Sequence, residues 1–348
     1  MRRHMRGGAK LWVFFIVLAV AAIAAAGVLW QELNRFADAP MAIHPDAPSV
    51  VIPHGAGFNR IVDELQARKL SAAPHWFWRL QAERMHVTRD LHAGEYALRP
   101  GMTPRQLLDD MAHARVVQHR FTIVDGWSFK ELREALDKAP VLKHETAAMT
   151  DAQIMQRVGA GDEKAEGRFL PETYAFVRGD SDLDILKRSY RAMNVLLKKA
   201  WANRADDLPL KTPYQALILA SIVEKETGRA DERPRIAGVF VRRLRRGMLL
   251  QTDPTVIYGM GAAYHGNIRK RDLETDTPYN TYVHPGLPPT PIALPGKPAI
   301  EAALHPAAGK SLYFVAKGDG SHVFSDTLAQ HDRAVRCYQL KRCSGGKR

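Results

Sequence analysis

Val50-Val51-Ile52-Pro53-His54-Gly55 is a short apolar run closed by a glycine, and the chain repeats its form twice. Tyr96-Ala97-Leu98-Arg99-Pro100-Gly101 and Phe121-Thr122-Ile123-Val124-Asp125-Gly126 are built the same way. Six residues after each glycine stands Ile61, Leu107 or Leu132, and ten after it Leu65, Met111 or Leu136. That spacing puts both apolar residues on one face of a following helix. Thr103 before Pro104, and Ser128 with Glu131, supply helix starts, the second as a capping box. The three segments predict strand, glycine turn and helix, hence an α+β class.

Upstream, Leu11 to Trp30 is a run of 20 residues without a charge. At about 1.5 Å per helical residue it reaches about 30 Å, the thickness of a bilayer core. Arg2, Arg3, Arg6 and Lys10 precede it with no acid among them. The positive-inside rule then keeps the N-terminus cytoplasmic and sends the rest across an inner membrane. A cleaved signal peptide is the alternative, with Ala24-Ala25-Ala26 as small residues for the cut. Its apolar region would ordinarily be about 7–15 residues, shorter than this one. The expected organisation is a cytoplasmic tail 1–10, a transmembrane helix 11–30 and a linker 31–47. A small α/β domain 48–136, a larger mixed α/β domain 137–340 and a basic tail 341–348 follow.

With 46% hydrophobic and 25% charged residues, the 348-residue chain is not a long disordered one. Two cysteines exclude a disulfide scaffold and a multi-cysteine zinc module. Cys337 and Cys343 stand close together in the tail, where an oxidising compartment can join them. The net charge of +13 suits anionic head groups and an acidic polymer outside the cytoplasm. No zinc finger, RNA-binding aromatic motif or Walker loop occurs, so no nucleic acid partner is expected. No metal-ligand spacing is evident either, and no cofactor is expected.

Further along, 137–165 reads as helical and polar, and Leu183 to Ala202 as a long amphipathic helix. Thr212-Pro213 opens another helix that Gly228 closes. Residues 229–246 predict a helix with a solvated arginine face around Ile236, Val239, Phe240 and Leu244. Leu249 to Pro306 is long and aperiodic, and its aromatic residues suit an ordered, site-forming segment. Residues 312–316 and 322–324 predict a hairpin, and 327–341 a last helix.

The chemistry centres on Tyr214–Thr227, nearly all apolar before it ends in Glu224-Lys225-Glu226-Thr227. Glu226 follows Val223, Ile222 and Leu219 at helical spacing and shares their apolar face. Glu224 follows Ser221, Ala220 and Leu217, a smaller and more polar face. A carboxylate beside apolar side chains, near the negative end of a helix, favours its protonated form. Such an acid can donate to a leaving group. Pairing of both glutamates with Arg229, Arg233 or Arg235 in a surface network is the structural alternative.

Ala220-Ser221-Ile222-Val223-Glu224-Lys225-Glu226-Thr227 resembles the catalytic signature of the MltG/YceG-like endolytic peptidoglycan transglycosylases. Leu250-Gln251-Thr252-Asp253-Pro254-Thr255-Val256-Ile257-Tyr258-Gly259 and Tyr279-Asn280-Thr281-Tyr282 with Gly286-Leu287-Pro288-Pro289 are similar to that family too. So are Glu166-Gly167 through Pro171-Glu172-Thr173-Tyr174, and Pro295-Gly296 through His305-Pro306. Five motifs in order, with the apolar run and small first domain, cover essentially the whole chain. Thr290 departs from the pattern, where the family often has glycine.

The resemblance implies a catalytic acid at Glu226 and a non-hydrolytic cut between N-acetylmuramic acid and N-acetylglucosamine, leaving a 1,6-anhydro end. Separately, the small strand–helix units of the first domain look like wall-binding LysM-like modules, though their spacing fits generic α/β packing equally. The family resemblance implies peptidoglycan strands as substrate, and wall synthases as partners by resemblance alone. Glu172, Gln251, Asp253, Thr255, Tyr258, Tyr279, Asn280 and Thr281 offer hydrogen bonds and stacking faces for a sugar groove. They serve equally as a network holding an irregular loop. Glu224 is the alternative acid. Two rival functions are a non-catalytic wall-binding scaffold and a two-carboxylate glycoside hydrolase with Glu172 or Asp253 as partner.

Overall fold

The computed structural model describes residues 6–342, with side chains from Leu11 onward. Arg2, Arg3, Cys343, Lys347 and Arg348 lie outside the described residues. In chain order the elements begin α1 (Arg6–Asp38), β1 (Ser49–Ile52), α2 (Phe58–Ala67), α3 (His75–Arg84), β2 (Gly94–Ala97) and α4 (Pro104–Ala112). Next come β3 (His119–Thr122), α5 (Phe129–Asp137), α6 (Asp151–Val158), β4 (Thr173–Phe176), α7 (Asp182–Ala202) and α8 (Pro213–Glu226). The chain closes with α9 (Arg233–Arg245), α10 (Asp253–Met260), α11 (Lys270–Glu274), α12 (Lys297–Leu304), β5 (Tyr313–Ala316), β6 (His322–Ser325) and α13 (Leu328–Tyr338). This is a mixed α+β chain that packs as two units, the smaller one ending at His119 and rejoined by Val177–Gly179.

In the smaller unit, Leu11–Asp38 is long and apolar enough to cross a membrane. The helix does not stop at Trp30. Leu33 and Ala37 are buried, and the Phe36 ring packs edge-on against Phe77 and Trp78 at 5.5 and 5.1 Å. The expected linker 31–47 is therefore helical as far as Asp38, because Leu33, Phe36 and Ala37 make a helical apolar face. β1 and β2 pair antiparallel, Ser49 opposite Ala97 and Ile52 opposite Gly94. Glu95 accepts from Ser49, His119 and Arg178 at 2.7, 2.8 and 2.9 Å, which ties in the returning segment.

All three repeat glycines adopt the left-handed backbone that their turn requires: Gly55 at +74°, Gly101 and Gly126 at +79°. Ile61, Leu65, Leu107, Met111, Leu132 and Leu136 are all buried, as their spacing predicts. Thr103 and Ser128 head capping boxes with Gln106 and Glu131. Replacing Ser128 with Ala is expected to cost about 1 kcal/mol, read as a lower thermal midpoint with unchanged activity per folded molecule.

The third repeat packs in the larger unit, although its sequence resembles the first two. Phe129, Leu132 and Leu136 share a core with Ile154, Phe169 and Ile185, and β3 pairs with β4. The compact units accordingly divide after His119, with the third repeat on the side of its strand partner. At the centre of this unit lies α8, where every residue from Ala216 to Val223 is buried. It packs against side chains of α7, α9 and α12. A helix apolar on all sides belongs in an interior.

Other expectations need adjusting. Within 138–165 only α6 is helical, and α10, α11 and α12 all arise inside the stretch read as aperiodic. The arginine face of α9 is not all solvated. Arg243 is 7% exposed and donates to the carbonyls of Leu249, Leu250 and Leu312 at 2.7–3.0 Å. Its stem runs through the core while its fork satisfies loop carbonyls. The hairpin is present, with Tyr313 opposite Ser325.

Candidate active site

Glu226 is the last residue of α8, and Thr227 leaves the helix in extended conformation. The buried hydroxyl of Thr252 donates to its carboxylate. Burial pushes the Glu226 carboxyl up to about 7; Thr252 pulls it down, Asp253 raises it, and His322 lowers it. A carboxyl half protonated near neutrality can both give and take a proton.

The turn at 251–255 that supplies Thr252 and Asp253 is tightly bonded to the 281–282 segment. Gln251 holds φ at +51°, a left-handed value uncommon outside glycine. Its N–H donates to the Thr281 carbonyl at 3.1 Å, and its Oε1 accepts from Arg243 at 3.2 Å. Thr252 N–H donates to Thr281 Oγ1 at 3.1 Å. Thr255 Oγ1 donates to the Thr252 carbonyl at 2.7 Å and lies 2.8 Å from Thr281 Oγ1. Asp253 opens α10 and accepts from the Tyr282 hydroxyl at 2.6 Å. Removing the Thr252 hydroxyl has a definite sign. Its hydrogen bond favours the charged form, so Thr252→Val is expected to raise the Glu226 pKa further. If the protonated form is active, the alkaline limb of the pH–rate profile moves to higher pH.

Glu224 differs from Glu226 by its partners rather than by its face. Leu217, Ala220 and Ser221 are as completely buried as Leu219, Ile222 and Val223. The Glu224 side chain is 6% exposed, with Arg233 at 3.6 Å, and accepts from Gly296 N–H at 3.0 Å. Burial raises its pKa, against the Gly296 hydrogen bond and the Arg233 charge. It cements α8 to the 294–296 segment, where a Cβ on Gly296 would run into the Asp125 carboxylate.

A further carboxylate bonds to α10. Glu166 is 9% exposed and accepts from Phe129 N–H at 3.0 and 3.2 Å and from the Tyr258 hydroxyl at 3.1 Å. Burial pushes it up to about 7 against those hydrogen bonds. The Tyr258 ring lies 4.9 Å from Tyr279, whose hydroxyl is 2.9 Å from Thr290 Oγ1. Thr290, the departure from the family pattern, thus holds a tyrosine in place.

The sequence-derived candidates therefore part company. Glu226 and Asp253 come together at the junction of α8 and α10, with Gln251 in the adjoining turn, and Tyr258 and Tyr279 form a ring pair. Thr255, Asn280 and Thr281 are buried; Asn280 donates to the carbonyls of Asp272, Leu273 and Thr275 and accepts from Tyr282 N–H. Glu172 is exposed at the entry to β4, its carbonyl accepting from Ile123 N–H. Sequence reasoning gave no role to Glu166, Tyr282 or the Glu232–His322 pair, whose side chains meet at 2.7 Å. Tyr282 does close a family-like motif, and Glu166 stands in the Glu166-Gly167 doublet: Gly167 holds φ at +78°, and a Cβ there would collide with Pro291.

Residues 50–337 match the model of the YceG-like family. The chain belongs to the YceG-like family. The membership implied by the five motifs is thereby borne out. An endolytic murein transglycosylase of Bacillus subtilis is 40% identical over 174 residues, 50% of this chain and 48% of that protein. One of Streptococcus pneumoniae is 27% identical over 82% of this chain and 57% of that protein. The chain thus spans about half the length of these curated relatives. The crystal structure of a YceG-like protein from Listeria monocytogenes aligns with a TM-score of 0.51 and 30% identity. That alignment covers 82% of this YceG-like chain and 98% of the Listeria one.

Proposed function

We propose that this YceG-like chain is an endolytic peptidoglycan transglycosylase, a lyase anchored by α1 with its larger unit outside the cytoplasm. The observation that carries the activity is Glu226, a carboxyl at the end of a buried helix with its pKa pushed up to about 7. The names of the Bacillus and Streptococcus relatives support the same reaction.

Glu226 protonates the glycosidic oxygen as the bond to the muramyl anomeric carbon breaks, and N-acetylglucosamine leaves as an alcohol. The resulting carboxylate takes the proton of the muramyl 6-hydroxyl, whose oxygen bonds to the same anomeric carbon. The proton is back on Glu226, and the new end is a 1,6-anhydro sugar. Because the nucleophile belongs to the substrate, one carboxyl can serve where a hydrolase uses two.

Tyr258 and Tyr279 supply ring faces for the strand, while Gln251 and Asp253 supply polar contacts beside Glu226. Thr255, Asn280 and Thr281 keep that turn rigid. Cutting within nascent strands would limit their length. The basic residues before Leu11 favour a cytoplasmic N-terminus in the inner membrane. The β1–α2–α3–β2 order with an antiparallel strand pair supports a LysM-like, glycan-contacting role for the smaller unit. Wall synthases are partners by family resemblance.

Asp253, whose charge reaches Glu226, keeps the two-carboxylate hydrolase as a second reading. Borohydride labelling of the products separates the two: free reducing ends take up label and anhydro ends do not. Unlabelled new ends are expected, and labelled ones would overturn the proposal.

A further inference from the structure

Glu166 and Glu226 both bond to residues at α10, one at each end. Thr252, immediately before α10, donates to Glu226, and Tyr258, five residues after Asp253, donates to Glu166. At about 1.5 Å per residue those anchor points are separated by about 9 Å along the helix. Glu166 is itself immobilised. It accepts the first N–H of α5, and Phe169 stacks on Phe129 at 5.0 Å and 16°. Between them, Gly167 admits no side chain because Pro291 lies against it.

We propose that Glu166 is a positioning residue: clamped to α5 and bonded to Tyr258, it sets the placement of α10 and so the Thr252 contact on Glu226. This inference rests on the transglycosylase reading, and it assigns Glu166 a role without substrate contact. A hydrogen bond that holds a catalytic neighbour in line can matter well beyond its own energy, since small displacements cost up to about 100-fold in rate. The groups facing Glu166 are Glu131 on α5, Tyr214 on α8 and Tyr258 on α10. Those facing Glu226 are Thr252 and Asp253 at the start of α10, Tyr282, and His322 on β6.

The test uses the full chain acting on purified glycan strands, with Glu166→Ala, Glu166→Gln and Tyr258→Phe compared over pH. Tyr258→Phe removes only the hydroxyl link and guards against misfolding of Glu166→Ala. Both are expected to lower kcat by about 10- to 100-fold with KM little changed. Both should move the alkaline limb upward, because a weakened Thr252 hydrogen bond no longer favours the Glu226 carboxylate. Glu166→Gln, which can still bridge Phe129 and Tyr258 through its oxygen and amide, is expected to restore most of the rate. A rise in KM with kcat unchanged would mean that the Glu166 carboxylate and the Tyr258 hydroxyl bind the substrate directly instead. A loss that tracks the unfolded fraction, with the limb unmoved, would make the link merely structural. If the wild-type chain itself made no anhydro ends, the underlying reading would fail rather than this one.

Discussion

Glu226→Gln is expected to remove nearly all anhydro product while the chain folds and still binds glycan. The amide preserves size and keeps an oxygen for the Thr252 hydroxyl, yet it can neither deliver nor retrieve a proton. General acid–base assistance is typically worth about 10²–10⁴-fold, and the proposed mechanism assigns both halves of it to this one group. Glu224→Gln is the contrast. Its partners are Arg233 and Gly296 N–H, so the change weakens a buried junction and should lower the thermal midpoint more than the rate per folded molecule. Initial rates of anhydro-end formation, corrected for folded fraction by circular dichroism, decide between them. A silent Glu224→Gln beside an active Glu226→Gln would reverse the assignment.

Gly167→Val is expected to be among the most damaging substitutions to stability. Two costs combine. The residue sits at φ +78°, where a β-branched side chain is strained by about 1–3 kcal/mol. The new Cβ would also meet the Pro291 side chain and approach the Ala293 carbonyl, neither of which can swing away. Phe169, two residues on, is fully buried in the core that holds α5 and β4, so the displacement would propagate into packed side chains. Chemical denaturation should show a fall of several kcal/mol, more than about 3, in unfolding free energy. A change below about 1 kcal/mol would mean that the close approach relaxes freely.

The parts legible in the sequence are those whose cause is local. Gly55, Gly101 and Gly126 punctuate three strand–helix units, and the helical spacing after them names six residues that are all buried. Thr212-Pro213 starts α8 and Ser128 caps α5 because capping acts within one turn. What escaped the sequence depends on distant partners. The two glutamates of α8 were separated by helix face, but a helix buried on every side has no faces to compare. Their difference lies in Thr252 for one and in Gly296 and Arg233 for the other. Glu166 and Tyr258 stand 92 residues apart, and Glu232 and His322 90 apart; no periodicity links such pairs. The packing of the third repeat in the larger unit is of the same kind, because its partner β4 comes from farther along the chain.

The central claim is that Glu226 directs the substrate's own hydroxyl, rather than water, onto the anomeric carbon. Digesting glycan strands in water enriched in oxygen-18 and weighing the new ends by mass spectrometry tests this most directly. The expected result is ends lighter than the hydrolytic product by one water and free of the heavy isotope, with none formed by Glu226→Gln. Ends that carry the heavy oxygen at the anomeric position would contradict the account and make the chain a hydrolase.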